Sequence, residues 1–271
     1  MSEWQTLEAP AKLNLALVVG PARTDGKHEV ATVLERLTLA DVVAVRRAPE
    51  TRVTGFADDT LVRAALDAVE ARSGACFEAR IEKRIPVAAG LGGGSSDAAA
   101  ALHLANGMLD GPLPLDELAA VAAGLGADVP FFLRDGPQLG TGDGSTLAPV
   151  ALPRDYAVLL VLPAGALKSS TADVYAAFDA RAGETGFEER RDALLGALAR
   201  LASRDDLAGL PPNDLASSPL AGELRDFGAF RADVSGAGPV VYALFADAGA
   251  ARRAHAAFGG RVVASWLAEP A

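Results

Sequence analysis

Residues 86–97 read PVAAGLGGGSSD. Six of the seven positions from Ala88 to Gly94 carry nothing larger than a methyl group, and the stretch closes on two hydroxyls, Ser95 and Ser96, and an acid, Asp97. Consecutive glycines let main-chain N–H groups converge on one point, and a helix start behind them adds its positive dipole end and unpaired donors. That is chemistry for an anion, and it suits a nucleotide's phosphates. The pattern departs from other glycine motifs. A Walker loop ends in Gly-Lys-Ser/Thr, whereas Gly94 is followed by Ser95; a dinucleotide fingerprint needs a third glycine where Ser95 stands; the elbow G-x-S-x-G fails at Asp97. An isolated GxGGG is more often a flexible loop or a tight packing turn. Here it precedes a helix-forming run and ends in paired hydroxyls, which turns the reading toward phosphate.

The elements around the loop are those needed to present it. Cys76–Ile81 alternates as a strand, and Asp97–Leu109 (DAAAALHLANGML) is a strong helix-forming run with Ser95 and Ser96 as candidate caps, so the motif is strand, glycine loop, helix. Upstream, Ala11–Val19 and Val42–Arg46 read as strands. Leu61, Val62, Ala65, Leu66 and Val69 fall at helical spacing after a cap at Asp59 or Thr60, with Gly74 as the stop. A helix is expected over Leu115–Ala123, stopped by Gly124. After Pro149 and Pro153 a hydrophobic strand, Val158–Leu162, begins, and a domain boundary is placed near residue 151, giving domains 1–151 and 152–271. The second half adds a polar helical stretch over Glu188–Leu201, a PPND turn at 211–214 and a strand, helix, strand pattern from Val240 to Val263.

Composition narrows the partners. With 271 residues, half of them hydrophobic, the chain can bury a core of one large or two moderate domains. A net charge of -10 argues against nonspecific nucleic-acid or anionic-membrane binding, so an anionic ligand has to meet a local positive site. The amino end lacks a basic segment followed by an apolar run, and YAVLLVLPAGAL is too short to span a bilayer. The single cysteine, Cys76, forms no internal disulfide. These features read as a cytoplasmic protein with neither nucleic acid nor membrane as partner. His103 and His255 have no partners at metal-ligand spacing and read as structural or exposed, and Lys83 and Arg84 as a solvated strand end.

GLGGGSSDAAA after Pro86 resembles the central motif of the GHMP kinases, the superfamily named for galacto-, homoserine, mevalonate and phosphomevalonate kinases. APAKLNLAL at 9–17, TDGKHEVAT at 24–32, GADVPFFL at 126–133, SSTADVYAAFD, NDL at 213–215 and VSGAGP at 234–239 extend the resemblance in order over most of the chain. They resemble the branch in which ATP phosphorylates a cytidine-diphosphate-linked methylerythritol on the non-mevalonate route to isoprenoid precursors.

The resemblance implies an α+β, two-domain GHMP kinase fold, with a ribosomal protein S5 domain 2-like N-terminal domain and a ferredoxin-like C-terminal domain. It implies ATP as co-substrate with Mg²⁺, and phosphates bound by Pro86, Val87, Ala88, Ala89, Gly90, Leu91, Gly92, Gly93, Gly94, Ser95 and Ser96. Ser95, Ser96 or Asp97 would be near the metal. Lys12 matches the family's catalytic lysine and Asp128 its catalytic acid. The acid would accept the substrate hydroxyl's proton while the ammonium keeps it ionised and steadies developing charge. Asn14, two positions beyond Lys12, shares its strand face and could bond the substrate. Where this branch has Asp-Gly-Tyr-His, with a tyrosine stacked on the cytosine, the chain has Asp25-Gly26-Lys27-His28. His28 is kept, Tyr175 stands where the branch places an aromatic across the base, and Lys27 closing over a one-sided stack is the expected substitute. Thr171 would join that wall, and Ser235 and Gly236 open a second bare loop matching the third motif of the superfamily. Two alternatives are a GHMP kinase for another small alcohol and a catalytically silent sensor. The intact Lys12 and Asp128 argue against the sensor.

Overall fold

The computed structural model describes residues 3–56, 60–165, 170–258 and 262–271. In chain order the elements are β1 (Gln5–Ala22), β2 (His28–Arg47), β3 (Arg52–Thr54), α1 (Leu61–Ser73), β4 (Phe77–Glu82), α2 (Gly93–Gly107), α3 (Leu115–Leu125), α4 (Val129–Phe132), β5 (Gln138–Gly142), β6 (Thr146–Pro149) and β7 (Ala157–Pro163). They continue as α5 (Thr171–Ala180), α6 (Phe187–Leu198), a 3₁₀ turn over Arg204–Gly209, α7 (Pro219–Asp226), β8 (Arg231–Val234), β9 (Val241–Phe245), α8 (Ala248–Phe258) and β10 (Val262–Ala268). The chain divides into two compact units. One comprises Met1–Ala11, Ala40–Val87 and Gly92–Asp135; the other comprises Lys12–Leu39, Ala88–Leu91 and Gly136–Ala271.

In the first unit, Val42–Arg47 of β2 runs antiparallel to β4, and β3 pairs in parallel with β4. The core lies between this sheet and α1, α2 and α3: Val43, Val45, Phe77, Ala79 and Ile81 meet Val62, Leu66 and Val69 of α1, the alanines 98–101 of α2, and Leu118 and Val121 of α3. The alanine run is both a strong helix former and thin enough for α2 to be buried on most sides.

In the second unit, Val30–Leu34 of β2 pairs with β5, and β5 with β6, all antiparallel. A separate four-stranded antiparallel sheet has the order β10, β7, β9, β8. Leu159, Val161, Val241, Ala243 and Phe245 on one of its faces pack on Leu224 of α7 and Ala251, Ala254 and Phe258 of α8. From residue 11 to residue 20 β1 is buried almost without a break, on both faces, which is why its sequence reads as a near-continuous apolar run.

Several local expectations are corrected. The helix after the glycine loop begins at Gly93, with left-handed Gly92 at the N-cap position and no side-chain cap, so Ser95 and Ser96 lie within the first turn and do not cap it. Glycine at φ +69° makes the entry turn there without a side-chain acceptor. Thr60 occupies the cap position of α1 without a capping hydrogen bond, and Asp59, the alternative, lies outside the described residues. Gly124 does not stop α3, which runs to Leu125 with Gly126 behind it. β2 is far longer than the segment expected, and α6 ends at Leu198. The pattern expected over Val240–Val263 is seen as β9, α8 and the start of β10, its residues 259–261 lying outside the described residues.

Candidate active site

In the second unit Lys12 sits in β1 with 4% of its surface exposed, its main-chain N–H donating to the Leu91 carbonyl at 2.9 Å. Its ammonium donates to Asn14 Oδ1 at 2.6 Å. The Asn14 amide passes a hydrogen bond to Thr32 Oγ1 at 2.8 Å, and that hydroxyl donates to the Ala16 carbonyl at 2.8 Å. Burying an ammonium is costly unless acceptors compensate, so this chain of polar groups is what lets a lysine occupy an apolar strand. Asn14 is thus the acceptor for Lys12. Two further groups hold β1 next to it: the Leu15 carbonyl accepts from Arg231 Nη2 at 2.6 Å and from the Tyr242 hydroxyl at 3.0 Å.

Two bare loops meet beside this lysine. The fully buried Ser235 donates its hydroxyl to the Gly90 carbonyl at 3.0 Å and accepts from Asn14 N–H at 3.4 Å. A Cβ on Gly90 would lie 2.1 Å from the Ser235 carbonyl oxygen, and one on Gly238 2.1 Å from Gly90 N, so any side chain at either position would be driven into backbone. A Cβ on Gly236 would come within 3.1 Å of Asn14 Oδ1 and 3.6 Å of Lys12 Nζ. The absence of side chains here has a steric cause: main chain packs on main chain around an ammonium. Asn213, in the NDL stretch, locks the second loop by donating to the Val234 and Gly236 carbonyls at 3.0 and 2.7 Å.

The rest of the glycine stretch falls in the first unit, except Ala88–Leu91. Pro86 is half-buried, Val87 is 57% exposed, and Ala88 takes a left-handed φ of 54° while Ala89 and Leu91 point inward. The first main-chain bond within α2 runs from Ser96 to Gly92, so the amides of Gly93, Gly94 and Ser95 have no acceptor in the helix. Beneath them Lys83 donates to Asp41 Oδ2 at 2.5 Å and Asp97 Oδ2 at 2.7 Å. Asp41 also accepts from the amides of Arg84 and Ile85. Both carboxylates are fully buried. Burial alone would lower the Lys83 pKa, but the bonds to Asp41 and Asp97 outweigh it and raise the value above that of an ordinary lysine. Lys83 is therefore a half-buried tie under the loop; the expectation of a solvated strand end is corrected for it, because two carboxylates 56 residues apart in sequence converge on it. A Cβ on Gly93 would sit 3.1 Å from Ile85 Cγ2, 3.3 Å from Lys83 Nζ and 3.4 Å from Asp41 Oδ2, which explains a glycine there. Ser96 Oγ is buried without a hydrogen-bond partner among the described residues. Asp128 is half-buried at the N-cap position of α4, its side chain forming no cap bond.

The substrate wall expected at Lys27, His28, Thr171 and Tyr175 is in the second unit. Thr171, Tyr175 and Asp179 recur every four residues and so share one face of α5, which Ser170 and Asp173 start with reciprocal capping bonds. His28 lies 4.7 Å from Tyr175, ring to ring, and 2.8 Å from Asp179 Oδ1 through Nε2. Thr171 is exposed at the first position of α5. The ammonium of Lys27 is held by Asp143. Asp143 also accepts from the hydroxyl and amide of Ser145. Partial burial pushes its carboxyl up, but Lys27 and Ser145 more than offset this and hold it at about 2. Thr32, Asp179 and Asn213 lie within the stretches that carry the resemblance but have no role assigned from sequence, and Asp41 lies outside them. Among the described residues no group of three or more His, Cys, Asp or Glu is arranged to hold a metal, and no helix is long and apolar enough to cross a membrane.

Comparison with known proteins matches residues 60–136 to the GHMP kinases N terminal domain and residues 185–263 to the GHMP kinases C terminal domain. The chain is 38% identical over 272 residues to the 4-diphosphocytidyl-2-C-methyl-D-erythritol kinase of Salinispora arenicola (strain CNS-205), covering 91% of this chain and 85% of the relative. It is 41% identical over 274 residues to the enzyme of the same name from Anaeromyxobacter dehalogenans (strain 2CP-C), covering 93% and 84%. A crystal structure of 4-(cytidine 5'-diphospho)-2C-methyl-D-erythritol kinase aligns with a TM-score of 0.78 at 30% identity over 98% of each chain. Methanococcus jannaschii mevalonate kinase aligns at 0.76 over 99% of each chain but with 14% identity, a likeness of fold alone. The chain, with its two-domain α+β fold, therefore belongs to the GHMP kinases and, among them, to the family of the 4-diphosphocytidyl-2-C-methyl-D-erythritol kinases.

Proposed function

We propose that the protein transfers the γ-phosphoryl group of ATP to the 2-hydroxyl of 4-diphosphocytidyl-2-C-methyl-D-erythritol, a step toward isoprenoid precursors. The observation that carries this reading is the buried Lys12 ammonium, 2.6 Å from Asn14 Oδ1, beside two side-chain-free loops, in a chain with this family membership. The assigned roles follow the chemistry of phosphoryl transfer, which needs donors around the phosphates, a cation at the moving group and an acceptor for the attacking hydroxyl's proton. Residues 86–96 bind the triphosphate through the main-chain amides from Val87 onward and the first-turn donors of α2 that have no acceptor in the helix. Lys12 supplies positive charge, and its exchange of Asn14 Oδ1 for a phosphoryl or alkoxide oxygen keeps it satisfied throughout. Asp128 takes the proton as the hydroxyl oxygen bonds to phosphorus and the bond to ADP breaks. Asn14, Lys27, His28, Thr171, Tyr175, Ser235 and Gly236 bind the alcohol.

Mg²⁺ entering with ATP needs one or two protein oxygens beyond the phosphates, and Ser96 Oγ, which has no partner among the described residues, fits that demand. Bound there, the ion would neutralise phosphate charge. We place the enzyme in the cytoplasm, where its nucleotide substrate is made.

Lys27, where a ring is expected, favours one competing reading, a kinase for another small alcohol. ADP release measured with ATP, Mg²⁺ and a panel of alcohols decides. Turnover with the cytidine-linked methylerythritol and not with homoserine or mevalonate supports the proposal. Turnover with another alcohol alone, or binding of both ligands without turnover, overturns it.

A further inference from the structure

Arg231 opens β8 as a buried residue, and all five of its guanidinium N–H groups are engaged inside the protein. Nε donates to the Tyr242 hydroxyl at 2.9 Å, Nη1 to the Leu207 and Leu210 carbonyls at 3.1 and 2.7 Å, and Nη2 to the Leu15 and Pro211 carbonyls at 2.6 and 2.9 Å. The Tyr242 hydroxyl in turn donates to the Leu15 carbonyl, whose two lone pairs are thus both taken by side chains. Leu15 follows Asn14 on the strand of Lys12, and Pro211 stands two residues before Asn213. One side chain therefore joins the strand that bears the ammonium to the turn that holds the second bare loop. Asp233, two residues on and so on the same face of β8, secures that turn as well by accepting from Asn213 N–H at 2.8 Å. It stands 4.0 Å from Nη2, near enough to offset the buried charge.

We propose that Arg231 is a positioning residue for phosphoryl transfer: it sets the strand of Lys12 against the turn of Asn213 and so holds the ammonium in register with the loop of Gly236. This rests on Lys12 as the cation at the moving group, proposed above. Apolar packing would hold the same segments together without fixing their register, whereas directional donors fix it. Register matters because a displacement of about 1 Å at a reacting group can cost about 100-fold in rate. A lysine is no substitute, since three donors on one nitrogen do not reach the carbonyls that a planar fork of N–H groups spans.

The test measures ADP release from ATP, Mg²⁺ and the cytidine-linked methylerythritol, on the intact chain, at a temperature where circular dichroism shows each variant folded. Arg231→Lys is expected to lower kcat about tenfold or more, with KM for ATP changed less than about threefold. Tyr242→Phe, which takes one donor from Leu15 and the acceptor from Nε, should lower kcat about threefold. The decisive arm is a cycle with Lys12→Met, read from single-turnover rates. A residue that acts through Lys12 has nothing left to place once the ammonium is gone, so adding Arg231→Lys to Lys12→Met should change the rate less than about twofold. A purely structural tie would slow both backgrounds by the same factor, and that result overturns the proposal. So does an unchanged kcat in Arg231→Lys, or a loss confined to KM. A normal rate in Lys12→Met overturns the reading of Lys12 and this proposal with it. A parent chain that turns over a different alcohol overturns the substrate reading alone, and the same cycle run with that alcohol decides the role of Arg231. Should Arg231→Lys fail to fold, Tyr242→Phe carries the cycle in its place.

Discussion

The side-chain amide of Asn213 donates to the main-chain carbonyl of Gly236 across 2.7 Å, a bond through which the NDL stretch helps to fix the loop that lies against Lys12 and Asn14. The same amide holds Val234 O, and the Asn213 carbonyl oxygen accepts from Leu215 N–H, so the side chain is fully used. Asn213→Ala strips two carbonyls of their donor, at about 1–3 kcal/mol for each that stays buried and unpaired. We expect a lower melting temperature together with a kcat reduced about tenfold or more and little change in KM for ATP. A variant that only melts earlier, with normal kcat at a temperature where it is folded, would show that the loop keeps its place without Asn213.

Lys12→Met removes a charge and leaves a side chain of similar reach. Asn14 Oδ1 loses its donor, which costs about 1–3 kcal/mol in stability. If Lys12 stabilises charge developing during transfer, kcat falls by about 100-fold or more, as for other preorganised electrostatic groups. Single-turnover measurements at saturating ATP separate this from a binding defect. Retained chemistry at the normal rate would reduce Lys12 to a structural member of the Asn14 and Thr32 chain.

Asp128→Asn keeps shape and removes the proton acceptor. The expected result is a kcat lowered by about 10²–10⁴-fold with ATP affinity nearly unchanged. Thermal melting of the variant separates lost chemistry from lost stability. Normal turnover would remove Asp128 from the reaction.

Asp143 titrates at about 2 because Lys27 and Ser145 outweigh the effect of partial burial. A carboxyl whose folded pKa is depressed adds stability above its unfolded value near 4, and that stability is lost as pH falls toward 2. Lys27→Ala should raise the Asp143 pKa toward the ordinary aspartate value, and the variant should therefore lose less stability than the parent between pH 4 and pH 2. Carboxyl carbon-13 titration reads the shift directly. An unchanged pKa would mean that Ser145 alone sets it.

The parts of this molecule legible from sequence are those governed by neighbours along the chain. The alanine run of α2, the α1 stripe from Val62 to Val69 and the strand around Val158 follow from period and propensity, and the glycine stretch announced main chain packed closely on something. β2 was legible only at its end, because Glu29, Glu35 and Asp41 interrupt its apolar pattern, and the last two are buried by partners distant in sequence: Arg154 reaches Glu35, and Lys83 reaches Asp41. Lys83 itself read as solvated for the same reason. Its carboxylates stand 42 residues before it and 14 residues after it, and no local rule brings them together. The start of α2 is not legible from its hydroxyls because a hydroxyl is the usual N-cap, whereas here a left-handed glycine makes the turn and leaves the first-turn amides without a side-chain cap.

Gly90 is a position where conformation and contact both forbid a side chain. Its φ of +82° lies in the left-handed region, and an added Cβ would stand 2.1 Å from the Ser235 carbonyl oxygen and 2.8 Å from Gly238 N, backbone atoms with no rotamer to yield. Gly26, with a φ of +80°, has nothing within 4 Å of an added Cβ. The pair separates the two effects: Gly26→Ala carries the backbone penalty alone, about 1 kcal/mol, whereas Gly90→Ala adds the displacement of one loop from the other, about 1–3 kcal/mol more. Chemical denaturation measures both. In Gly90→Ala the displaced loop also moves the Gly90 carbonyl away from the Ser235 hydroxyl, so phosphoryl transfer should fall well beyond what lost stability explains, while Gly26→Ala retains its kcat. Equal stabilities for the two variants would show that the loops separate without cost, and the close backbone packing beside Lys12 would then have no part in holding the site.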